Sequence, residues 1–345
     1  MIDDAASSPK CVILNDTSTR YHHGCIRVME QLKSGLVDRG ITIAACAPAR
    51  HDWENDPKLI EHIRSCDLVV INGEGTLHHG NASGERLLKL ATCDAVKGVP
   101  IALVNALYEQ NPEHWGRYVE KFDIVSARDT QSAKEINDSI GRPVARTVAD
   151  LSMSTGALSY DGLRDGLIVG DSVKWNRRTD LAKAASRLSA DLYVPTKTLS
   201  SLIWKSTVAK RALYALYNGV LTLRQPKFVM PRDVDGYLRL LSSCEGHITG
   251  RFHAVCLSMV TGTPFLALSS NASKIERLLT DVGIGASRIL TPDDLSSLTL
   301  LRAVRPFDSG EVQAIQAYLE SARTNAATLM DDLAHLAFHH MENAA

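Results

Sequence analysis

Short apolar runs return along the whole chain, each followed by a stretch in which apolar positions fall at helical spacing. In the first half the runs are CVILND, ITIAACA, DLVVING, IALVNAL, DIVSARD and ARTVADLS. The stretches between them predict helices near 23–39, 57–65, 84–97, 113–121 and 133–139. Strands that are apolar throughout, rather than at alternate positions, belong to a sheet covered on both faces, and their alternation with helices predicts a parallel one. The first half therefore reads as a Rossmann-like domain. The pattern breaks over TGALSYDGLRDG, which carries glycines and little periodicity. A second series then opens with LIVGDSV and continues through DLYVPT, KFVMP, GHITG, FLALSS and RIL. From 310 to 341 the spacing predicts one or two long helices, of the kind that returns to brace the first domain in twin-Rossmann proteins.

The expected division is a first Rossmann-like domain over 1–158, a second over 159–310 and a helical segment over 311–345. A length of 345 residues suits two domains. The formal net charge of -1 supplies no global basic field for a polyanion, which argues against nucleic acid as a partner. Cys11, Cys25, Cys46, Cys66, Cys93, Cys244 and Cys256 show no Cys-x-x-Cys spacing and read as reduced core residues of a cytoplasmic chain. The N-terminus MIDDAASSPK lacks an apolar signal region, and no run approaches the roughly 20 apolar residues that cross a bilayer. One stretch, SLIWKSTVAKRALYALYNGVLTLR, sets Trp204, Tyr214 and Tyr217 among Lys205, Lys210, Arg211 and Arg224. The usual logic of surface helices makes it an amphipathic helix on its own sheet with a solvated basic edge. The alternative is peripheral contact with the inner face of the cytoplasmic membrane, or with a lipid-linked ligand.

Candidate chemistry collects at strand ends. TGRFHAVCLSMVTGTPFLALSSNASK places Arg251 and His253 where a strand hands over to a helix, a place suited to a phosphate or carboxylate. After the next strand come Ser269, Ser270, Asn271 and Lys274. The run DLVVINGEGTLHHG delivers Glu74 between glycines at a strand end, where ligands of open α/β sheets bind. A carboxylate there has no structural reason to be desolvated, so it reads as a general acid or base rather than a solvated loop residue. Arg128 ends DIVSARD and either grips an anion or pairs with Asp129. Asp150 ends ARTVADLS and either caps a helix or faces a ligand, and with Glu74 it makes a carboxylate pair. His22, His23, His78 and His79 lack a metal-binding spacing, so no metal is expected.

In this order, the glycine-flanked strand end at Asn72 to Gly75, SARD with Arg128, ADLS with Asp150, and RFH followed by Gly-x-Pro and a serine-lysine loop resemble the polysaccharide pyruvyl transferase family. The resemblance runs from about Asn15 to Gly283, and the RFH block is its specific part. It implies a GT-B-like α/β fold of two facing Rossmann-like domains with parallel sheets. It also implies phosphoenolpyruvate as donor, a sugar of a cell-surface glycan or lipid-linked precursor as acceptor, and no cofactor. The second domain would take the donor, through Arg251, His253, Ser269 and Lys274 together with Arg128. The first would take the acceptor, through Asn15, His23 and His78. Glu74, Asp150 and His253 are the candidates for proton transfer. The Gly-Glu-Gly strand end with its histidine pair, and the loop NDTSTRYHHGC, depart from the family's usual pattern. They leave open a retaining glycosyltransferase that uses a nucleotide-activated 2-keto sugar acid such as CMP-Kdo, with Asp150 as nucleophile and Glu74 as acid or base. A chain that binds a glycan or nucleotide without catalysis is the non-enzymatic reading.

Overall fold

A computed structural model describes residues 8–198, 207–222, 224–269 and 273–344. Two compact units divide the chain. Unit 1 comprises Met1–Arg20, Val28–Ser154 and Ala322–Ala345, and unit 2 comprises Tyr21–Arg27 and Thr155–Ser321. Each is built on a sheet of six strands, and every strand pairing in both sheets is parallel.

In unit 1 the strands are β1 (Lys10–Asp16), β2 (Thr42–Pro48), β3 (Leu68–His78), β4 (Ile101–Glu109), β5 (Ile124–Ala127) and β6 (Ala145–Thr147). Their order across the sheet is β2-β1-β3-β4-β5-β6. One face carries a core that includes Leu14, Trp53, Ile63, Leu88, Trp115 and Ile136. The other carries Ile13, Val70 and Val104 against Met29, Leu32 and Leu36, and against Leu329, Met330, Leu333 and Ala337. These last four come from the long helix Ser309–Ala344, whose final part belongs to unit 1. The returning helix expected from the sequence is thus a single continuous one.

Unit 2 contains β7 (Leu167–Ser172), β8 (Leu192–Tyr193), β9 (Lys227–Phe228), β10 (Gly246–Gly250), β11 (Phe265–Leu268) and β12 (Ile289–Leu290). They are ordered β12-β11-β10-β7-β8-β9. Counted from its first strand, this is the doubly wound Rossmann order, whose direction reverses between β7 and β10. In unit 1 the reversal falls between β1 and β3. Ligands of such sheets bind beyond the C-terminal strand ends at the reversal, because loops there diverge to opposite faces and leave a crevice.

Each of the twelve expected strands is present. The stretch near Gly84 to Lys97, expected as one helix, is a helix over Ala82–Lys89 followed by two short 3-10 turns. Trp204 and Lys205 of the basic aromatic stretch lie outside the described residues. Farther along it, Tyr214 is buried against Tyr193 and Phe228 within unit 2. Among the described residues no helix is long and apolar enough to cross a membrane.

Candidate functional site

Unit 2 carries the more tightly built cluster, at its own switch point. Strand β10 ends at Gly250 and the helix Phe252–Val260 begins at once, so Arg251 occupies the N-cap position. Its side chain turns to the end of β7, where Nε and Nη2 donate to Asp171 Oδ2 at 3.0 and 2.6 Å. The same oxygen accepts from the Tyr217 hydroxyl at 2.6 Å, and Asp171 Oδ1 accepts from the Thr196 backbone N–H at 3.0 Å. Asp171 is fully buried. Burial alone pushes its carboxyl up, but Arg251, Tyr217 and the Thr196 N–H overcome that and hold it below the usual carboxylate range. A buried ion pair thus bridges the two strands at which the sheet reverses.

His253 is the second residue of the helix, buried, and it meets the segment Tyr21–Arg27. That segment is held in unit 2 by the His23 N–H on the Thr196 carbonyl and the Thr198 N–H on the Tyr21 carbonyl, both at 2.9 Å. The rings of His22 and His253 meet edge-on at 5.2 Å. Gly24 is what permits this, since a Cβ there would lie 2.1 Å from the His253 Cβ. Burial first, then His253, Arg251 and Lys197, keep the His22 ring neutral far below its ordinary range, so the surroundings are electropositive. His23 is fully buried and stacked on Tyr237 at 4.9 Å, which leaves it no face on solvent. Ser269 donates to Glu276 Oε1 at 3.0 Å, and Lys274 opens the helix Lys274–Val282. Ser270 and Asn271 lie outside the described residues.

Unit 1 has a buried polar layer across β1, β3 and β4. Asn15, Glu74 and Asn105 each take a left-handed backbone, with φ of 62, 33 and 55°. Glu74 is not in a loop after the strand: β3 runs on to His78, and its pairing with β4 is irregular between Glu74 and Leu77. Gly73 makes the bulge possible, because a Cβ there would lie 2.8 Å from the Ala106 Cα. The Glu74 carboxylate is buried and accepts from Thr17 Oγ1, with Asn72 Nδ2 at 3.3 Å from the same oxygen. Asn15 Nδ2 donates to the Asn72 carbonyl at 2.6 Å and to Thr76 Oγ1 at 3.1 Å.

Along the same sheet edge, Arg128 Nη1 lies 3.6 Å from Asp150 Oδ2, both residues being buried. Asp150 also caps the short turn Leu151–Met153 through the Ser152 N–H at 3.0 Å, which is the capping role of the two expected for it. Asp129 caps the helix Thr130–Ile140 through the Ser132 N–H at 2.7 Å. His78 is half-buried, with its Nδ1 at 3.3 Å from that of His79.

Within unit 1 the structure therefore gathers Asn15 with the Glu74 strand end, and Arg128 with Asp150. Within unit 2 it gathers Arg251 and His253 with Asp171, Tyr217, His22 and Cys25, none of which sequence reasoning had placed in a site. Asp171 carried the signal applied to Glu74, a carboxylate after glycine at the end of an apolar run. Tyr217 carried none beyond its place on an aromatic helix.

A profile of the polysaccharide pyruvyl transferase family matches residues 9–271. No curated protein matches the chain in sequence. Among solved structures, a putative UDP-N-acetylglucosamine 2-epimerase from Listeria monocytogenes is similar at 11% identity and a TM-score of 0.53, covering 93% of this chain and 94% of that one. The UDP-GlcNAc 2-epimerase from Neisseria meningitidis bound to UDP-GlcNAc gives 11% and 0.52, covering 94% and 99%. MnaA from S. aureus in complex with UDP gives 14% and 0.53, covering 90% and 97%. At such identities these likenesses speak to the fold alone, an α/β fold of GT-B-like type with two parallel sheets. The family match covers more than half of the chain and includes the RFH junction; the chain belongs to the polysaccharide pyruvyl transferase family and is by that membership a transferase.

Proposed function

We propose that the chain transfers a pyruvyl group from phosphoenolpyruvate to a pair of hydroxyls on a sugar of a cell-surface glycan or its lipid-linked precursor. The observation that carries this reading is Arg251, oriented by the fully buried Asp171 at the switch point of unit 2, with His253 in the following turn. A guanidinium held along one edge presents its remaining donors in a fixed direction, which suits a planar carboxylate or a phosphate. The electropositive surroundings of His22 favour the same kind of ligand. Lys274, at the first turn of its helix, is the further cation assigned to the donor, with Ser269 beside that turn.

The reaction balances without a cofactor. A general acid gives a proton to the methylene carbon of the donor, which becomes the methyl group, and positive charge develops at the adjacent carbon. A sugar hydroxyl attacks that carbon while a base takes its proton, and phosphate leaves with the electrons of the carbon–oxygen bond. The second hydroxyl then attacks the cation that phosphate leaves behind and passes its proton to the departing phosphate, which closes the cyclic ketal. His253 is assigned the acid role in unit 2. In unit 1, Glu74 and Asp150 are assigned to the acceptor's protons, and Asn15 and His78 to its hydroxyls. His23 belongs to unit 2, where it is fully buried on Tyr237, and it is assigned no contact with the acceptor.

Thermal-shift titration separates the donors. Phosphoenolpyruvate is expected to stabilise the fold by about 2.7 kcal/mol at a concentration 100 times its Kd and so to raise the unfolding midpoint, with little response to CMP, UDP or CDP. Arg251→Lys should lose most of the phosphoenolpyruvate response. Glu74→Gln should keep that response and lower turnover by two or more orders of magnitude, roughly the scale of general acid–base catalysis. Stabilisation by CMP with none by phosphoenolpyruvate would reject the pyruvyl donor in favour of an activated sugar acid.

A further inference from the structure

We infer that His22, Cys25 and His253 form a binding site for a thiophilic divalent metal ion of the zinc type. Their ligand atoms all lie within 4.8 Å of one another, and all three residues are buried in unit 2. In a tetrahedral zinc site, bonds of roughly 2.0–2.3 Å set neighbouring ligand atoms about 3.3–3.8 Å apart. Atoms at most 4.8 Å apart need to close by only about an ångström to reach that spacing. Two imidazoles and a thiolate are a borderline-soft donor set, which selects zinc over magnesium or calcium. Three protein ligands leave a fourth position for water or an anion.

Local structure places these ligands in one spot. His22 and Cys25 stand three residues apart at the start of the helix His23–Val37, so they share one side of its first turn. Gly24 between them lets the turn lie directly on His253, as its blocked Cβ position shows. His22 Nδ1 faces the Cys25 backbone N–H at 3.5 Å, the outer limit of a hydrogen bond, so the lone pair of the ring is on the Cys25 side. Arg251 and Lys197 oppose a bare cation here, but Asp171 balances Arg251 and the Cys25 thiolate removes one charge from the ion. The same two cations favour an anion in the fourth position.

If His253 is the proton donor of the proposed transfer, an ion on its ring blocks that role, and Zn2+ inhibits; this consequence rests on the reading above, whereas the site itself does not. Cobalt is the probe, because Co2+ on a thiolate gives a charge-transfer band in the near ultraviolet. The full-length chain, stripped with a chelator and titrated with Co2+, should show this band saturating at one equivalent per chain, and Zn2+ should abolish it. Cys25→Ser should remove the band, and so should His22→Gln, which spares the buried thiol. Cys46→Ser, at an exposed thiol, should leave it unchanged. A wild-type protein without the band, a band that survives both site variants, or one lost in Cys46→Ser would overturn the assignment. Since neither donor nor acceptor enters the measurement, a failure of the pyruvyl reading leaves its outcome intact.

Discussion

Arg251 has a structural task and a proposed ligand-binding one, and simple truncation mixes them. Removing its side chain leaves Asp171 buried with Tyr217 and one backbone N–H as partners, and breaking such a pair typically costs about 3–5 kcal/mol. Arg251→Ala is therefore expected to lower the unfolding midpoint and the activity together. Replacing both partners, as Asp171→Leu with Arg251→Met, should recover most of the midpoint in thermal unfolding while activity stays lost. A double variant no more stable than Arg251→Ala would show that the pair is not the source of the loss. Histidines give a second test at this scale. Burial lowers His23 to about 4 and His247 to about 3, from an ordinary value of 6.5. Both rings are neutral in the folded chain, so between pH 6.5 and those values the unfolded chain binds more protons. Stability is then full above pH 6.5 and falls as the pH drops, by about 1.4 kcal/mol per pH unit for each histidine over its window. The His23 ring makes no hydrogen bond to the described residues and only stacks on Tyr237, so His23→Phe keeps the packing and removes one titration. Urea midpoints between pH 7 and 5 should fall less steeply in that variant, and an unchanged slope would mean His23 is not buried neutral.

At the scale of elements, the strands were legible because both faces of each sheet are covered: IALVNAL, as part of β4, is buried at every position and cannot be mistaken for a half-exposed alternating strand. The RFH junction was legible for a related reason, since an apolar strand ending in glycine and an apolar helix leave a single place for Arg251. The bulge at Glu74 was not, because it depends on β4 continuing beside β3 as far as Glu109 and on Gly73 pressing against Ala106. Sequence alone made this a loop; pairing to a long neighbour makes it strand. Asp171, Tyr217 and Cys25 were hidden for a topological reason. Their partners are set by strand order and by the seating of Tyr21–Arg27 in unit 2, and neither leaves a local signal. Cys25 carries the same apolar helical pattern as the core cysteines. The metal-ligand spacing it makes with His22 is incomplete until His253 arrives from the other side of the sequence.

At the scale of the whole molecule, the core of unit 1 cannot be assembled from the first half of the sequence. Its second apolar face needs Leu329, Met330, Leu333 and Ala337, which arrive only at the end of the chain. Gly35 records how closely this helix is seated, since a Cβ there would lie 2.9 Å from the Met330 Cγ. Polar contacts that fix its register on the unit include Arg39 Nε to Asp331 Oδ1 at 2.7 Å, Arg146 Nη2 to Asp332 Oδ2 at 2.5 Å, and His340 Nδ1 to Asp67 Oδ1 at 3.2 Å. These are partly exposed and are expected to contribute little energy; the buried leucines hold the helix. Truncation of a fully buried leucine costs about 2–5 kcal/mol, comparable to much of a domain's net stability of about 5–15 kcal/mol. A chain ending at Ser321 loses all of these contacts at once and should have no folded unit 1, with its amides over β1, β3 and β4 exchanging freely. Unit 2 draws its sheet and the apolar clusters of its described residues from Tyr21–Arg27 and Thr155–Ser321, so protection over β7, β10 and β11 should persist in the truncated chain. Hydrogen exchange read strand by strand distinguishes the cases. Protection retained over β1 and β3 without residues 322–345 would mean that the helix only decorates a core complete without it.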